Sequence, residues 1–170
     1  MASLTLRGGK KGKNPLFEFK KDDDYNTPKE ELESIAHLIP KDKIIWECFY
    51  GDGKSGEYLK DLGFNVEHHK IDFFLDPSFN YDILISNPPY SIKPKIFKRL
   101  LQIDKPFMML VPVSTMTKKF LKTYFQDKIQ IVIPKTRINF VKNGIQTKKC
   151  WYDTLWICYK MNFDKDIIFL

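Results

Sequence analysis

Apolar residues fall in short runs separated by stretches of helical spacing along most of the chain. The first helical stretch opens at Thr27-Pro28-Lys29-Glu30. Thr27 can cap it, Pro28 suits a first turn, and Glu30 and Glu31 complement the helix dipole. Leu32, Ile35, Ala36 and Ile39 then recur on one face until Pro40 stops the helix. Ile44-Ile45-Trp46 predicts a short strand, followed by a helix over 55–62 that Gly63 closes. Further strands are predicted over 64–68, 81–86, 107–113 and 129–133, and further helices over 96–103 and 118–125. Two β-rich runs, 137–141 and 151–159, flank an Asn143-Gly144 turn signal. The segment 161–170 is short and apolar-ended, and fits either a last strand or a docking tail.

Strands alternating with helices predict βαβ units. The expected fold is therefore α/β: a single-domain, Rossmann-like, doubly wound and mostly parallel sheet. An antiparallel C-terminal hairpin is expected to join it at one edge. Residues 1–24 read as a flexible basic leader, and 25–170 as the domain. No internal repeat and no second domain are expected.

Composition narrows the class. The chain has 170 residues and is 43% hydrophobic, enough to fill one core. No run approaches the 18 or so apolar residues of a membrane span, so no membrane association is expected. The first residues, MASLTLRGGKKGKN, hold no apolar signal region. Cys48, Cys150 and Cys158 are odd in number with no C-x-x-C pair, which argues against a disulfide framework or a cysteine zinc cluster. His37, His68 and His69 lack metal-ligand spacing, so no metal is expected. These features predict a non-secreted protein of the cytoplasm or nucleus.

The net charge of +7 is unevenly spread. Residues 1–21 carry a net +5. Residues 134–150 carry another +5, from Lys135, Arg137, Lys142, Lys148 and Lys149 with no acid. The remainder is slightly acidic. Basic segments on such a body form an electrostatic footprint for a polyanion, and a solvated charged loop is the plainer alternative.

Two motifs carry chemistry. Glu47-x-Phe49-x-Gly51-x-Gly53 follows a predicted strand and opens a helix. Glycines there let the backbone pass close to a ligand, and the acid can accept hydrogen bonds from it. It is not a phosphate-binding P-loop, because Gly53-Lys54-Ser55 lacks the earlier glycine: position 48 is Cys. The second motif, Asn87-Pro88-Pro89-Tyr90, leaves the carboxyl end of a strand. Its prolines fix the backbone and donate no hydrogen bonds. The Asn87 side-chain carbonyl and the Pro88 main-chain carbonyl can converge on one planar NH₂ group, which has two hydrogens to give. Tyr90 offers a face on which a base can stack, worth about 1–3 kcal/mol.

With these motifs the chain resembles the S-adenosylmethionine-dependent amino-methyltransferases of the N6-adenine type, over roughly residues 25–159. Tyr25-Asn26-Thr27-Pro28 looks like the family's leading block, near the methionine end of the cofactor. Glu47 to Gly53 looks like its cofactor loop, Asp72-Phe73-Phe74 like the block that holds the cofactor's adenine, and Asn87-Pro88-Pro89-Tyr90 like the catalytic block. The resemblance implies S-adenosylmethionine as cofactor. It implies Tyr25, Thr27, Pro28, Glu47, Phe49, Gly51, Gly53, Asp72, Phe73, Phe74 and Asn87 as its contacts. The implied reaction is methylation of adenine N6 in nucleic acid, with DNA ahead of RNA. Two departures stand out. The acid that grips the ribose has no clear counterpart in Val66-Glu67-His68-His69-Lys70, and the large recognition insertion of restriction-type relatives is missing.

Substrate contacts are expected from Tyr90, Arg137, Lys142, Lys148 and Lys149. Arg137 is able to bind phosphate or guanine bidentately, and the lysines supply salt-sensitive phosphate contacts. A protein partner or a second copy is the expected source of target recognition. Three alternatives stay open: an RNA substrate, a protein glutamine amide, and an inactive methyltransferase-like subunit. Lys148→Glu combined with Lys149→Glu is expected to weaken substrate binding mainly at low salt; an unchanged salt dependence would remove this loop from substrate binding.

Overall fold

The structure, a computed structural model, describes residue 23, residues 25–147 and residues 152–170. Six strands point the same way: β1 (Ile44–Trp46), β2 (Asn65–Glu67), β3 (Ile83–Ser86), β4 (Phe107–Pro112), β5 (Ile129–Ile133) and β9 (Ile167–Phe169). A seventh, β8 (Thr154–Tyr159), runs antiparallel between β4 and β5. The order across the sheet is β2-β1-β3-β4-β8-β5-β9. This is the doubly wound, mostly parallel sheet that the alternation of strands and helices predicts.

A central parallel strand is buried on both faces, so its apolar run splits residue by residue between two cores. Ile45, Ile83, Ile85, Met108 and Leu110 face one layer, with Leu32 and Ile35 of α1 (Lys29–Ile35) and Leu59 of α2 (Lys54–Asp61). Trp46, Leu84, Met109 and Val111 face the other. There they meet Ile96, Phe97 and Leu100 of α3 (Lys93–Ile103), and Leu121 and Phe125 of α4 (Lys119–Phe125). Helices thus cover both faces. Among the described residues no helix is long and apolar enough to cross a membrane.

Several local expectations are corrected. Thr27 does not cap α1: Pro28 takes the N-cap position without a side-chain bond, and Thr27 is buried. The antiparallel strand is not at an edge. All six residues of β8 are buried, which suits an interior place, and β8 pairs with β4 and β5 rather than with the run over 137–141. That run is irregular except at its end. The hairpin at Asn143-Gly144 is a separate two-stranded ribbon, β6 (Val141–Lys142) with β7 (Ile145–Gln146). The C-terminal segment resolves into the edge strand β9, parallel to β5.

Glu31 is the polar exception beneath α1. It is 8% exposed, and the Trp156 indole donates to its Oε1 at 2.6 Å. Burial pushes its carboxyl from the ordinary 4.5 up to about 7, against the indole bond, which lowers it. A carboxyl raised in the fold binds its proton more tightly there than in the unfolded chain. Its contribution is therefore greatest below pH 4.5 and is lost as pH rises through about 7. The cost of charging it amounts to on the order of 3 kcal/mol. Glu31→Gln, which keeps an acceptor for Trp156, is expected to raise the melting temperature at pH 8 but not at pH 4; an equal change at both would contradict the assignment.

Candidate active site

The chain leaves β1 for β2 on one side of it and later enters β3 on the other. Such a reversal opens a crevice at the carboxyl ends of the two strands, where open α/β sheets bind ligands. A cleft of about 140 Å³ lies there. Glu47, Phe49 and Gly51 enter it from the turn after β1, and Ser86, Asn87 and Pro89 from the end of β3. Tyr25, Asn26 and Thr27 cross it from the N-terminal side, and Leu32 and Trp156 add apolar wall.

Glu47 organises this corner. It is 2% exposed, and donors from several elements reach it. Ser55 Oγ at the start of α2 donates to Oε2 at 2.9 Å, and Ser86 Oγ at the end of β3 donates to Oε1. His68 Nε2, just past β2, lies 2.7 Å from Oε2. The following turn then bends sharply. Gly51 and Gly53 both have positive φ, +55° and +88°, in the left-handed region. A Cβ on Gly51 would also come within 2.8 Å of Asn26 Oδ1, so the N-terminal segment can pass close over the turn.

Asn87 presents the open valence of the site. Its Nδ2 donates to the Tyr25 carbonyl at 2.7 Å, which fixes how the amide is turned. Its Oδ1 is then buried with no hydrogen-bond partner. A buried acceptor left unpaired costs about 1–3 kcal/mol. The strap that carries Tyr25 is itself anchored. Asp23 accepts from the Ser91 N–H at 3.1 Å and from the Ser91 hydroxyl, and Asn26 forms a bridge with Val141.

The structure brings together Tyr25, Thr27, Glu47, Phe49, Gly51, Asn87 and Pro89 of the residues singled out in the sequence. Pro88 is buried between Asn87 and Pro89. Tyr90 follows at once, opening a single turn of 3₁₀ helix, Tyr90–Ile92. Its ring meets Tyr152 edge-on at 5.9 Å. Gly53 ends the turn against the Tyr50 ring. Phe73 is buried and packs on Phe49 with ring centroids 4.8 Å apart, so it backs the cleft from behind.

Other expected contacts stand apart. Pro28 and Arg137 line a separate cavity, and Arg137 is paired with Asp153 at 3.1 Å. Asp72 lines another hollow, and Phe74 is exposed. Lys142 reaches toward the site, with its Nζ 4.9 Å from the Tyr25 ring centroid. Lys148 and Lys149 lie outside the described residues.

Sequence reasoning missed Asp23, Ser55, Ser86 and His68. Their role depends on long-range pairing that no local pattern announces. Gly56 was a usable signal: an interior helical glycine usually marks close approach, and here the His68 ring occupies its missing side chain.

No protein-family model matches the sequence, and no curated protein matches it. Among solved structures, the chain is similar to a protein assigned as a class I S-adenosylmethionine-dependent methyltransferase from Listeria monocytogenes. The two share 13% identity over 85% of this chain and 64% of that one, with a TM-score of 0.46. The chain therefore spans less than two thirds of that relative. It is also similar to a precorrin-6y C5,15-methyltransferase from Geobacter metallireducens, at 13% identity over 86% of this chain and 100% of that one, with a TM-score of 0.42.

The Gly56 contact is open to test. A Cβ there would lie 2.0 Å from His68 Nδ1, on a ring whose side chain is only 5% exposed. Gly56→Ala is expected to displace His68 from Glu47 and to cost about 1–3 kcal/mol in chemical denaturation. A variant as stable as the parent would show that the ring is not held there.

Proposed function

We propose that this chain is an S-adenosylmethionine-dependent N-methyltransferase that acts on the exocyclic N6 amine of adenine in nucleic acid, with DNA ahead of RNA. The observation that carries the reading is the Asn87 amide: locked by Tyr25 on its donor side and unpaired on its buried acceptor side. An acceptor held this way, beside a proline that adds a carbonyl and no donor, suits an incoming planar NH₂ group.

The residues present fit the cofactor that the resemblance implies. The cleft lies at the switch point, and the two positive-φ glycines let backbone approach a ligand closely. Glu47 and Ser55 line the same wall, and their oxygens could take hydrogen bonds from an amino or hydroxyl group. Tyr25, Asn26 and Thr27 would hold the ligand from the strap side, and Phe49, backed by Phe73, from the apolar side. Bound there, S-adenosylmethionine supplies an electrophilic methyl group on a sulfonium.

The chain's own residues do the rest. Asn87 Oδ1 and the Pro88 carbonyl would accept the two amine hydrogens and draw the nitrogen toward a tetrahedral, more nucleophilic shape. Tyr90 would stack the base so that the amine is directed at the acceptors. A base in a duplex must leave the stack to enter, so looped, mismatched or single-stranded sites are the easier substrates. Preference for DNA rests on the resembled family. Target recognition is assigned to a partner or a second copy of the chain, since the described chain carries no inserted recognition domain between β3 and β5.

Asn87→Ala is expected to lower methyl transfer by about two orders of magnitude or more. Cofactor binding should persist, read as a thermal shift equivalent to about 2.7 kcal/mol at 100 times Kd. The assay is transfer of labelled methyl to DNA, RNA and protein pools, followed by nucleoside analysis. Near-parental turnover in this variant would remove the acceptor mechanism, and label confined to protein would remove adenine.

A further inference from the structure

The ribbon β6–β7 pairs with the strap that crosses the cleft. The Asn26 N–H donates to the Val141 carbonyl at 2.8 Å, and the Val141 N–H donates to the Asn26 carbonyl at 2.9 Å. In a strand the N–H and C=O of one residue point the same way, and those of the next residue point to the other side. Val141 therefore spends both main-chain groups on the strap, and it stands opposite Gln146 as a pair without hydrogen bonds. The ribbon closes through its neighbours instead, as where the Thr147 N–H donates to the Phe140 carbonyl at 2.8 Å. Among the described residues Val141 is the one backbone partner of Asn26.

The same stretch of ribbon seats the Tyr25 side chain. The Tyr25 ring meets Phe140 edge-on with centroids 6.1 Å apart, and Phe140 is fully buried in the core layer beneath α1. The carbonyl that fixes the Asn87 amide, that of Tyr25, belongs to the peptide unit between Tyr25 and Asn26. The N–H of that same unit is the one bonded to Val141. The unit is trans, so its two polar groups point in opposite directions from one rigid plate. Val141 holds one end of the plate and Asn87 Nδ2 binds the other at 2.7 Å. A hydrogen bond made at one end of an amide also polarises the other, which makes the Tyr25 carbonyl a better acceptor.

We propose that Phe140 and Val141 are positioning residues for the reaction, acting through the Tyr25–Asn26 peptide on the Asn87 amide. Val141 fixes the direction of the plate, and Phe140 keeps it from rolling by seating the Tyr25 ring. With the plate fixed, the Asn87 amide cannot turn over, and Oδ1 rather than Nδ2 is the atom left for an incoming amine. The proposal rests on the reading of Asn87 as the amine acceptor. It gives the base of the ribbon a part in the chemistry that is separate from any contact its lysines make with substrate.

The test uses the full, isotope-labelled chain. The side-chain amide of Asn87 is identified in NMR spectra by its loss in Asn87→Ala, and its exchange with solvent is followed beside the melting temperature. Val141→Pro removes the N–H of one rung to the strap and spares the ribbon's own ladder. Phe140→Leu keeps the core filled and deletes the ring contact with Tyr25. Val141→Ala keeps both rungs. Exchange is expected to quicken by about 2- to 10-fold in Val141→Pro and in Phe140→Leu, as for one net hydrogen bond lost, and to stay parental in Val141→Ala. At saturating S-adenosylmethionine and adenine-containing oligodeoxynucleotide, kcat is expected to fall by up to about 100-fold in the first two variants and to hold in the third. Phe140→Leu decides the matter even if Val141→Pro fails to fold. Parental exchange in Phe140→Leu, equal quickening in Val141→Ala, or quicker exchange with kcat unchanged overturns the proposal. Exchange needs no turnover, so the two readings fail separately. A chain whose variants quicken exchange as expected but whose parent transfers no methyl to adenine keeps the hold on Asn87 and loses the reaction. One that methylates adenine with exchange unmoved by the variants keeps the reaction and loses the positioning role.

Discussion

A buried carboxylate without donors would destabilise the fold by several kcal/mol. Glu47 is buried in this way but not bare: Ser55 Oγ at the start of α2 and Ser86 Oγ at the end of β3 donate to it, and His68 Nε2 after β2 lies 2.7 Å from its Oε2 in a close contact without hydrogen-bond geometry. The requirement that all three converge fixes how α2, the end of β2 and the end of β3 sit around β1. The glycine turn takes its course from the same point, since it must leave Glu47 and enter α2 within a few residues. Tyr50, on that turn, stacks on the His68 ring at 4.6 Å and covers the pair from outside. The crevice at the switch point is thus braced by one ion-like cluster as well as by apolar packing.

Much of this was legible in the sequence, and the reason is local. Ile44 to Trp46, Ile83 to Ile85 and Ile131 to Ile133 are short, wholly apolar runs, and such runs leave few alternatives to a buried strand. The two motifs were readable because each sits on one turn. What the sequence did not reveal depends on partners distant along the chain. The run over 151–159 reads as half of a hairpin because Asn143-Gly144 is a strong turn signal. The turn is real, but the ribbon it makes is only two residues long on each side. The apolar content of β8 instead places it between two strands, where both of its faces are covered. Arg137 shows the same limit for charge, since composition counts it in a basic loop and Asp153 neutralises it in space.

The N-terminal strap carries the other long-range dependence. Asp23, Tyr25 and Asn26 span only four positions, yet they bind Ser91, Asn87 and Val141 in turn. Asn87 is oriented by Tyr25 rather than by its own loop. The direction of its free carbonyl is therefore a property of the strap. A reading of Asn-Pro-Pro-Tyr in isolation identifies the residue types but not which end of the amide faces the cleft. The hydrogen bond to Tyr25 decides it.

The edge of the sheet divides its work by strand. The ends of β1 and β3 build a cleft with a buried acid, two left-handed glycines and an apolar wall, suited to a small ligand held closely on several sides. Beyond the end of β3, toward the approach to β8, the Tyr90 ring meets Tyr152 edge-on, and the Lys93 ammonium lies 5.1 Å from it. β3 belongs to both, and Asn87 stands at the boundary with its donor turned to the strap and its acceptor unclaimed. In the proposed reading, the group transfer would use both regions, with the Asn87 acceptor at their border. The doubly wound topology supplies that arrangement before any side chain is chosen: a strand next to the switch point contributes its carboxyl end to the crevice on one side and to the open edge on the other.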